Sequence, residues 1–492
     1  MKTLYIDATL PFRWGPHPPV GIPRVETALI RQALRWKASP VGFFVVDAQG
    51  RGQALNDAEL RYLRRLVDGE LPQPVEGEEG SYLARLWKVL SIMRAAPFAF
   101  GREFDRVAAI FVSGSHKRRG IKFQVSKTAI RLFKLAKLYA RPRRPRTKDS
   151  TKDPLKDAAA MCFLSSASIH EIASRKIAGK IDCGVFTLMH DLIPVDFPQF
   201  VGPHHARGFV RNTAWQLENS HLLVCVSKYT ADRVRCHATA SNPGRVPEIA
   251  VASPGAFLKD GIAGRDVSAA RHTKDRKFVL YCSTIEIRKN HILLLKVWHR
   301  LMPLLGKRLP TLVFCGRWGW MYEELVAFME QHPELRDRVQ FCSNVTDREL
   351  AELYRGAEFS VYPSAVEGWG LGAAECLDFG LPVLISDAPS LAEATQRLMP
   401  TIPARDVEAW CAAVAKACTD PAWLDELRAT IASRYRPIRE RDFFATIVDH
   451  VGALGPSDFG HRAGRPKISQ SEARPRLGEI TAEQPAFRQA EV

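Results

Sequence analysis

The chain has 492 residues, of which 46% are hydrophobic and 25% charged, so it is long enough for two globular domains with their own cores. No apolar run reaches the roughly 18–20 residues of a membrane-spanning helix, and the first residues lack the apolar core of a signal peptide. The ten cysteines are scattered without a Cys-x-x-Cys pair, which argues against a zinc site and a disulfide framework. We therefore expect a cytoplasmic protein with reduced thiols.

Strand-like and helix-like segments alternate through the first half of the chain. Residues 24–36 have the pattern of an amphipathic helix. The apolar segments that predict strands are 3–7, 41–46, 186–190 and 221–226. Such alternation predicts a mostly parallel sheet covered by helices, and we expect residues 1–255 to form a Rossmann-like domain.

Most of the formal net charge of +17 comes from one stretch of this domain. Between His116 and Lys148 there are thirteen Lys or Arg and no Asp or Glu. From Lys127 to Arg141 cations recur at spacings of three or four, which predicts a basic amphipathic helix suited to an anionic membrane surface. The alternative is a solvated insertion at about 116–150. A cationic stretch also binds nucleic acids without sequence preference, but no nucleic-acid fold motif accompanies it, so we expect no such partner.

A second alternating series follows a polar linker predicted at 253–274. We expect 275–436 to form a second Rossmann-like domain, followed by a last helix at 437–451. Its predicted strands are 277–283, 311–316, 339–341 and 359–363, and its predicted helices are 291–304, 322–330, 348–354, 371–379, 405–418 and 421–434. Residues 452–492 are rich in Pro, Gly, Ser and charge without apolar periodicity, which predicts a disordered tail.

Glu367 and Glu375 lie eight positions apart in a segment that reads strand, glycine-bearing loop, helix. Such a loop exposes amide N–H groups at a helix N-terminus, where the dipole favours an anion such as a phosphate. Carboxylates beside this site would repel the anion unless they accept hydrogen bonds from neutral hydroxyls. A sugar and a ribose on either side of a diphosphate offer that arrangement.

Other candidate residues stand where predicted strands end. Arg288 and Lys289 follow the first strand of the second series, and their charges suit a diphosphate. Gly316 and Arg317 follow the next strand, where glycine lets the backbone approach a ligand. His190 closes a strand of the first domain. Taken singly, each of these is also typical of a solvated or structural turn.

The string from Glu367 to Glu375, followed by Gly-Leu-Pro-Val, resembles the Glu-x7-Glu signature of the retaining glycosyltransferases of family 4 (glycosyl transferases group 1). Ser-Thr-Ile-Glu-Ile-Arg-Lys-Asn is similar to that family's Gly-Thr-x-x-Pro-Arg-Lys-Asn loop, with Ser283 in place of glycine and Ile287 in place of proline. The resemblance covers about 1–450. It implies the α/β GT-B fold, in which two Rossmann-like lobes face each other across a cleft and a terminal helix crosses back to the first lobe.

The resemblance implies three catalytic residues. Glu367 would hold the transferred sugar and steady positive charge at its anomeric carbon, His190 would reach the sugar's outer hydroxyls, and Lys289 would stabilise the leaving diphosphate. It also implies a donor-binding set without a metal ligand, in which Glu375 binds the ribose. That set is Gly21, Arg288, Lys289, Gly316, Arg317, Gly370, Leu371, Gly372 and Glu375.

The resemblance thus implies a retaining, metal-independent transferase without a cofactor, since the nucleotide sugar is its substrate and no Asp-x-Asp motif stands in a suitable loop. Ile-Glu-x-Arg-Lys-Asn-His and Cys-Gly-Arg-Trp-Gly-Trp are most similar to bacterial O-antigen and exopolysaccharide mannosyltransferases. This favours GDP-mannose over UDP-sugars, and a lipid-linked or polysaccharide acceptor at the inner face of the cell membrane. The alternatives are a GT-B-fold nucleotide-sugar epimerase and a catalytically silent scaffold that binds membrane.

Overall fold

A computed structural model gives the fold of residues 3–15, 19–47, 50–70, 153–174, 181–241, 246–262, 277–343 and 345–454. The chain divides into two compact units, Met1–Gly184 and Val185–Val492. The basic stretch at 116–148 and residues 455–492 of the predicted tail lie outside the described residues. What the sequence predicts for them, and for the domain boundaries, stays a prediction.

The first unit contains four strands in the order β3-β2-β1-β4. They are β1 (Leu4–Asp7), β2 (Val41–Val46), β3 (Gly52–Ala54) and β4 (Met161–Leu164). β1 pairs in parallel with β2 and β4, whereas the short β3, which the sequence pattern missed, pairs antiparallel with β2. Described helices of this unit are Thr9–Trp14, Ile22–Arg35, Asp57–Val67 and Ser166–Ser174, with a 3-10 turn at Pro154–Lys156.

The second unit begins with three parallel strands, β5 (Gly184–Met189, of which Gly184 is the last residue of the first unit), β6 (Leu222–Cys225) and β7 (Glu248–Val251). Every residue of β5 and β6 is buried, as in a parallel sheet covered on both faces. The helical segments described in this region are Ile193–Asp196, Pro198–Phe200 (3-10), Pro203–Asn219, Lys228–Ser241 and Leu258–Ile262.

A six-stranded parallel sheet follows, with the order β10-β9-β8-β11-β12-β13. Its strands are β8 (Phe278–Cys282), β9 (Thr311–Cys315), β10 (Val339–Cys342), β11 (Phe359–Tyr362), β12 (Val383–Ser386) and β13 (Thr401–Ile402). The α-helices described here are His291–Leu305, Glu323–Gln331, Asp347–Gly356, Leu371–Asp378, Pro389–Ala394, Val407–Thr419, Pro421–Arg434 and Glu440–Gly452. The 3-10 turns are Ile287–Lys289, Gly306–Arg308 and Pro333–Asp337.

The strand order reverses between β8 and β11. From β8 the chain runs outward through β9 and β10, and from β11 it runs outward the other way through β12 and β13. Ligands of open α/β sheets bind beyond the carboxyl ends of the strands at such a switch point. The segments that follow β8 and β11, which hold Arg288 and Glu367, meet there.

The last helix, Glu440–Gly452, packs on the segment around residues 255–262. The rings of Phe257 and Phe443 lie 5.6 Å apart, and the Glu440 N–H donates to Asp260 over 3.0 Å. A Cβ on Gly255 would lie 1.6 Å from the Ile438 carbonyl oxygen, so only glycine fits this approach. Within the described ranges, no helix has the length and apolar character needed to cross a bilayer.

Candidate active site

The segments after β8 and β11 are tied together by hydrogen bonds. The Ala365 N–H donates to the Arg288 carbonyl over 2.8 Å. The Tyr281 hydroxyl donates to the Lys289 carbonyl over 2.7 Å and lies 3.2 Å from Ser364 Oγ. Burial raises the pKa of Tyr281, so this hydroxyl remains a neutral donor. The two segments thus form one fixed surface at the switch point.

Glu367, Arg288 and Lys289 form a buried ion cluster on this surface. Arg288 Nη1 lies 2.8 Å from one carboxylate oxygen of Glu367, and Lys289 Nζ contacts the other. Arg288 Nη1 also donates to the Val366 carbonyl over 3.0 Å. The Glu367 residue is only 6% exposed, so this cluster is shielded from solvent. Three residues predicted separately from two distant motifs therefore make one cluster.

The cluster shifts the acidity of its members. Burial alone would raise the pKa of Glu367, but the charges of Lys289 and Arg288 and their hydrogen bonds lower it to about 2. Burial, and then the charge of Arg288, lower the pKa of Lys289, against the pull of Glu367. Burial would likewise lower the pKa of Arg288, but the Glu367 and Glu286 carboxylates raise it. Glu367 is therefore a carboxylate at neutral pH, with its charge balanced by cations.

Glu286 is a second buried carboxylate beside the cluster, and it was not predicted from the sequence. It is 3% exposed, and its Oε1 lies 2.8 Å from Arg288 Nε. Its other oxygen, Oε2, accepts no hydrogen bond from a described residue. Burial raises its pKa, while Arg288 and Lys289 act in the opposite direction. Glu286 thus holds the Nε side of the Arg288 guanidinium, and its Oε2 can still accept a hydrogen bond.

The carbonyl groups of the 364–370 segment are held by hydroxyls from neighbouring elements. Ser227 Oγ donates to the Gly368 carbonyl over 2.7 Å, and Ser390 Oγ donates to the Glu367 carbonyl over 2.7 Å. Ser386 Oγ donates to the Ser364 carbonyl over 2.6 Å. Because these backbone carbonyls accept hydrogen bonds from neighbouring serines, the segment is fixed and the Glu367 side chain keeps a defined position.

His190 follows β5 and lies against the same segment. A Cβ on Gly368 would lie 2.1 Å from the His190 carbonyl oxygen and 2.8 Å from Asp191 Cβ, so glycine at 368 permits the contact. Asp191 in turn accepts from the Ile193 N–H over 3.0 Å and fixes the turn after β5. The structure therefore brings the His190 backbone against Gly368, the residue that follows Glu367.

The helix Leu371–Asp378 is preceded by its N-cap residue Gly370, whose φ of 111° favours glycine. A Cβ on Gly372 would lie 2.1 Å from the Tyr362 hydroxyl and 3.1 Å from the Cys282 carbonyl oxygen, so glycine lets Tyr362 approach this turn without a shift. Glu375, 3% exposed, accepts a hydrogen bond from the Tyr354 hydroxyl over 2.9 Å. The first amide N–H groups of this helix thus lie close in sequence to the Glu375 carboxylate, which the Tyr354 hydroxyl holds in place.

Gly316 and Arg317 follow β9 and contact the segment after β8. The Ile285 N–H donates to the Arg317 carbonyl over 2.9 Å, and a Cβ on Gly316 would lie 1.9 Å from the Ser283 carbonyl oxygen. Ser283 itself, which replaces the family's glycine, places its hydroxyl 3.2 Å from His291 Nε2. Ile287, which replaces proline, begins a 3-10 turn that proline would also accept.

Gly21 belongs to the other compact unit. It precedes the helix Ile22–Arg35 with a φ of 58°, and a Cβ there would meet no atom within 4 Å. Backbone conformation, rather than close packing, therefore explains this glycine. Arg24 in the following turn is buried at 7% exposure.

Two other buried polar groups at the switch point were not predicted from the sequence. One is Glu286, whose only signal was its place two residues before Arg288. The other is Trp369, which is 9% exposed and whose indole N–H finds no acceptor among the described residues. A tryptophan between two glycines gives no sequence signal for a buried donor, because its burial depends on packing of segments distant in the chain.

Residues 265–436 match the family of glycosyl transferases group 1. The matched stretch contains Arg288, Lys289, Glu367 and Glu375. The chain carries a glycosyl transferases group 1 domain. The strings that suggested this family in the sequence analysis thus lie inside the matched residues.

Two proteins similar to this chain are mannosyltransferases of Escherichia coli. Serotype-specific mannosyltransferase WbdA is 26% identical over 264 residues, which are 50% of this chain and 31% of WbdA. O-antigen chain mannosyltransferase B is 26% identical over 248 residues, which are 48% of this chain and 62% of that protein. The chain thus spans less than two thirds of the length of either relative.

A solved structure, HepE of Anabaena in complex with UDP and glucose, aligns with 92% of this chain and 100% of its own. Its TM-score is 0.51 at 13% identity. Likeness at this level shows the fold, and the predicted α/β GT-B fold is confirmed.

Proposed function

We propose that this protein is a retaining, metal-independent glycosyltransferase that moves mannose from GDP-mannose onto a lipid-linked or polysaccharide acceptor. The observation that carries the proposal is the buried cluster of Glu367 with Lys289 and Arg288 at the switch point of the group 1 domain. Two cations beside the Glu367 carboxylate match a sugar that carries a diphosphate. The mannosyltransferase relatives support the choice of sugar.

In this proposal Glu367 and the diphosphate compete for the same cations. Without donor, Glu367 neutralises Lys289 and Arg288 and holds them in place. When the donor binds, its diphosphate takes up contacts to Lys289, Arg288 and the amides at Gly370, Leu371 and Gly372. Glu367 is then released toward the sugar, where its charge steadies the anomeric carbon. Arg288 keeps its ion pair with Glu286 throughout.

Transfer then needs no metal in this account. The bond between the anomeric carbon and the diphosphate oxygen breaks, and the acceptor hydroxyl forms its new bond on the same face of the sugar. The acceptor proton leaves with the nucleoside diphosphate. Lys289 and Arg288 stabilise the negative charge that develops on the leaving group, which is the largest electrostatic task of the reaction. His190 and Glu375 are assigned to the sugar hydroxyls and the ribose.

The experiment that tests this function is a transfer assay with radiolabelled GDP-mannose and polyprenyl-diphosphate-linked sugars as acceptors, in parallel with UDP-glucose and UDP-N-acetylglucosamine. We expect mannose to enter the lipid fraction in an α linkage, with EDTA having no effect. Transfer from UDP-sugars alone would show that the donor is a UDP-sugar and not GDP-mannose. HepE, which was solved with UDP and glucose, suggests this alternative. Isomerised nucleotide sugar without transfer would favour the epimerase, and loss of activity on EDTA treatment without loss of folding would contradict metal independence.

A further inference from the structure

Three side chains far from the ion cluster converge in the second unit. His299 lies on the helix His291–Leu305, eight residues from its start and so about 12 Å along its axis. His332 directly follows the helix Glu323–Gln331, and Glu334 lies in the 3-10 turn Pro333–Asp337. One ligand atom from each of the three lies within 4.8 Å of the other two.

The distances within this His299–His332–Glu334 cluster fit a tetrahedral metal ion. Glu334 Oε1 lies 3.2 Å from His299 Nε2 and 3.2 Å from His332 Nδ1. A zinc ion with bonds of about 2.0–2.1 Å in tetrahedral geometry separates neighbouring ligand atoms by about 3.3 Å. The two carboxylate–imidazole distances thus match the spacing that a bound ion would impose, and the two imidazole nitrogens lie within 4.8 Å of each other.

Aromatic packing holds the two imidazoles in this arrangement. Their ring centroids lie 4.1 Å apart, and Phe328 packs on both, at 4.3 Å from the His332 ring and 6.1 Å from the His299 ring. The three ligand side chains are 27–45% exposed, so solvent reaches the fourth position of a tetrahedron. Ion pairs this exposed contribute little stability by themselves, and they do not explain why both imidazoles face one carboxylate oxygen.

We propose that His299, His332 and Glu334 bind a divalent transition metal, with zinc the best fit. Two imidazoles and one carboxylate are a common zinc ligand set, whereas magnesium and calcium prefer ligand sets made of oxygen alone. The ion would join the long helix to the turn before β10. Because it binds the folded state, it would stabilise the group 1 domain by mass action. The site is separate from sugar transfer and does not depend on the proposed function.

The test uses the full chain after EDTA treatment and dialysis. Zinc chloride is titrated by calorimetry, and the melting temperature is measured with zinc or magnesium chloride. We expect zinc to bind and raise the melting temperature, and magnesium to have no effect. His332→Ala and Glu334→Gln should each weaken zinc binding on the order of 10–100-fold or more. His170→Ala, which removes an exposed histidine from the first unit, is the matched control and should leave binding unchanged.

Glu334→Gln keeps the size of the side chain, and circular dichroism of each variant without metal checks its folding. Equal zinc affinity in the wild type, His332→Ala and Glu334→Gln would overturn the proposal, because binding would then come from other residues. Absence of zinc binding in the wild type, or an equal effect of magnesium, would also overturn it.

Discussion

At the residue scale, we assign Glu367 two roles: it pairs with Lys289 and Arg288 before the donor binds, and it stabilises positive charge at the anomeric carbon during transfer. A Glu367→Gln variant distinguishes the two roles. The substitution removes the charge that competes with the diphosphate for Lys289 and Arg288. We expect GDP to bind as tightly as in the wild type or more tightly, while transfer falls by at least about 100-fold, because the anomeric charge loses its partner. Calorimetry and the transfer assay measure the two effects. Loss of GDP binding with the substitution would show that Glu367 does not compete for the cations.

His291 makes the second unit sensitive to acid. Its ring packs against Tyr281 with the centroids 4.6 Å apart, and burial, followed by the charge of Lys289, lowers its pKa to about 3 from 6.5. Between these values the unfolded chain takes up a proton that the folded chain refuses, so stability falls as the pH drops below 6.5. His291→Phe should remove about 2 kcal/mol of the loss between pH 7 and pH 5. Urea unfolding at both pH values measures it, and equal losses in the two proteins would refute the assignment.

At the scale of elements, close approach of two strand ends depends on Gly316. A Cβ added at Gly316 would lie 1.9 Å from the Ser283 carbonyl oxygen, and backbone atoms cannot move aside as a flexible side chain can. We expect Gly316→Ala to lower the free energy of unfolding by about 1–3 kcal/mol. Gly261→Ala is the control, because a Cβ there meets nothing within 4 Å, and it should be neutral or stabilising. Similar losses in both variants would argue against the packing explanation.

The elements of the second unit were largely predictable from the sequence. The helix predicted at 421–434 has those bounds, and the helix predicted at 291–304 ends one residue later, at Leu305. Apolar periodicity carries this information because each element buries one face. The pairing of Arg288 with Glu286, the burial of Trp369 and the convergence of His299 with Glu334 were not predictable. They depend on how segments distant in the chain pack together.

At the scale of the whole molecule, the basic stretch at 116–148 gives the chain most of its net charge. If it contacts an anionic bilayer, each cation contributes about 1 kcal/mol near the surface. Alanine at Lys127, Arg131 and Lys134 should then weaken binding to phosphatidylserine vesicles on the order of 100-fold. Alanine at three exposed cations, Lys307, Arg308 and Arg336, is the control. Equal vesicle binding by the wild type and both variants, measured by cosedimentation, would favour a solvated insertion.

The measurement that tests the account most directly is a calorimetric titration of GDP, GDP-mannose, UDP and UDP-glucose into the wild type, Lys289→Ala and Lys296→Ala. Lys296 lies on the helix that follows Lys289 and is 43% exposed, so its substitution removes the same charge outside the ion cluster. We predict that GDP compounds bind the wild type, that Lys289→Ala weakens them about tenfold to a hundredfold, and that Lys296→Ala does not. Binding of every nucleotide unchanged by Lys289→Ala, or no binding to the wild type, would contradict the donor site.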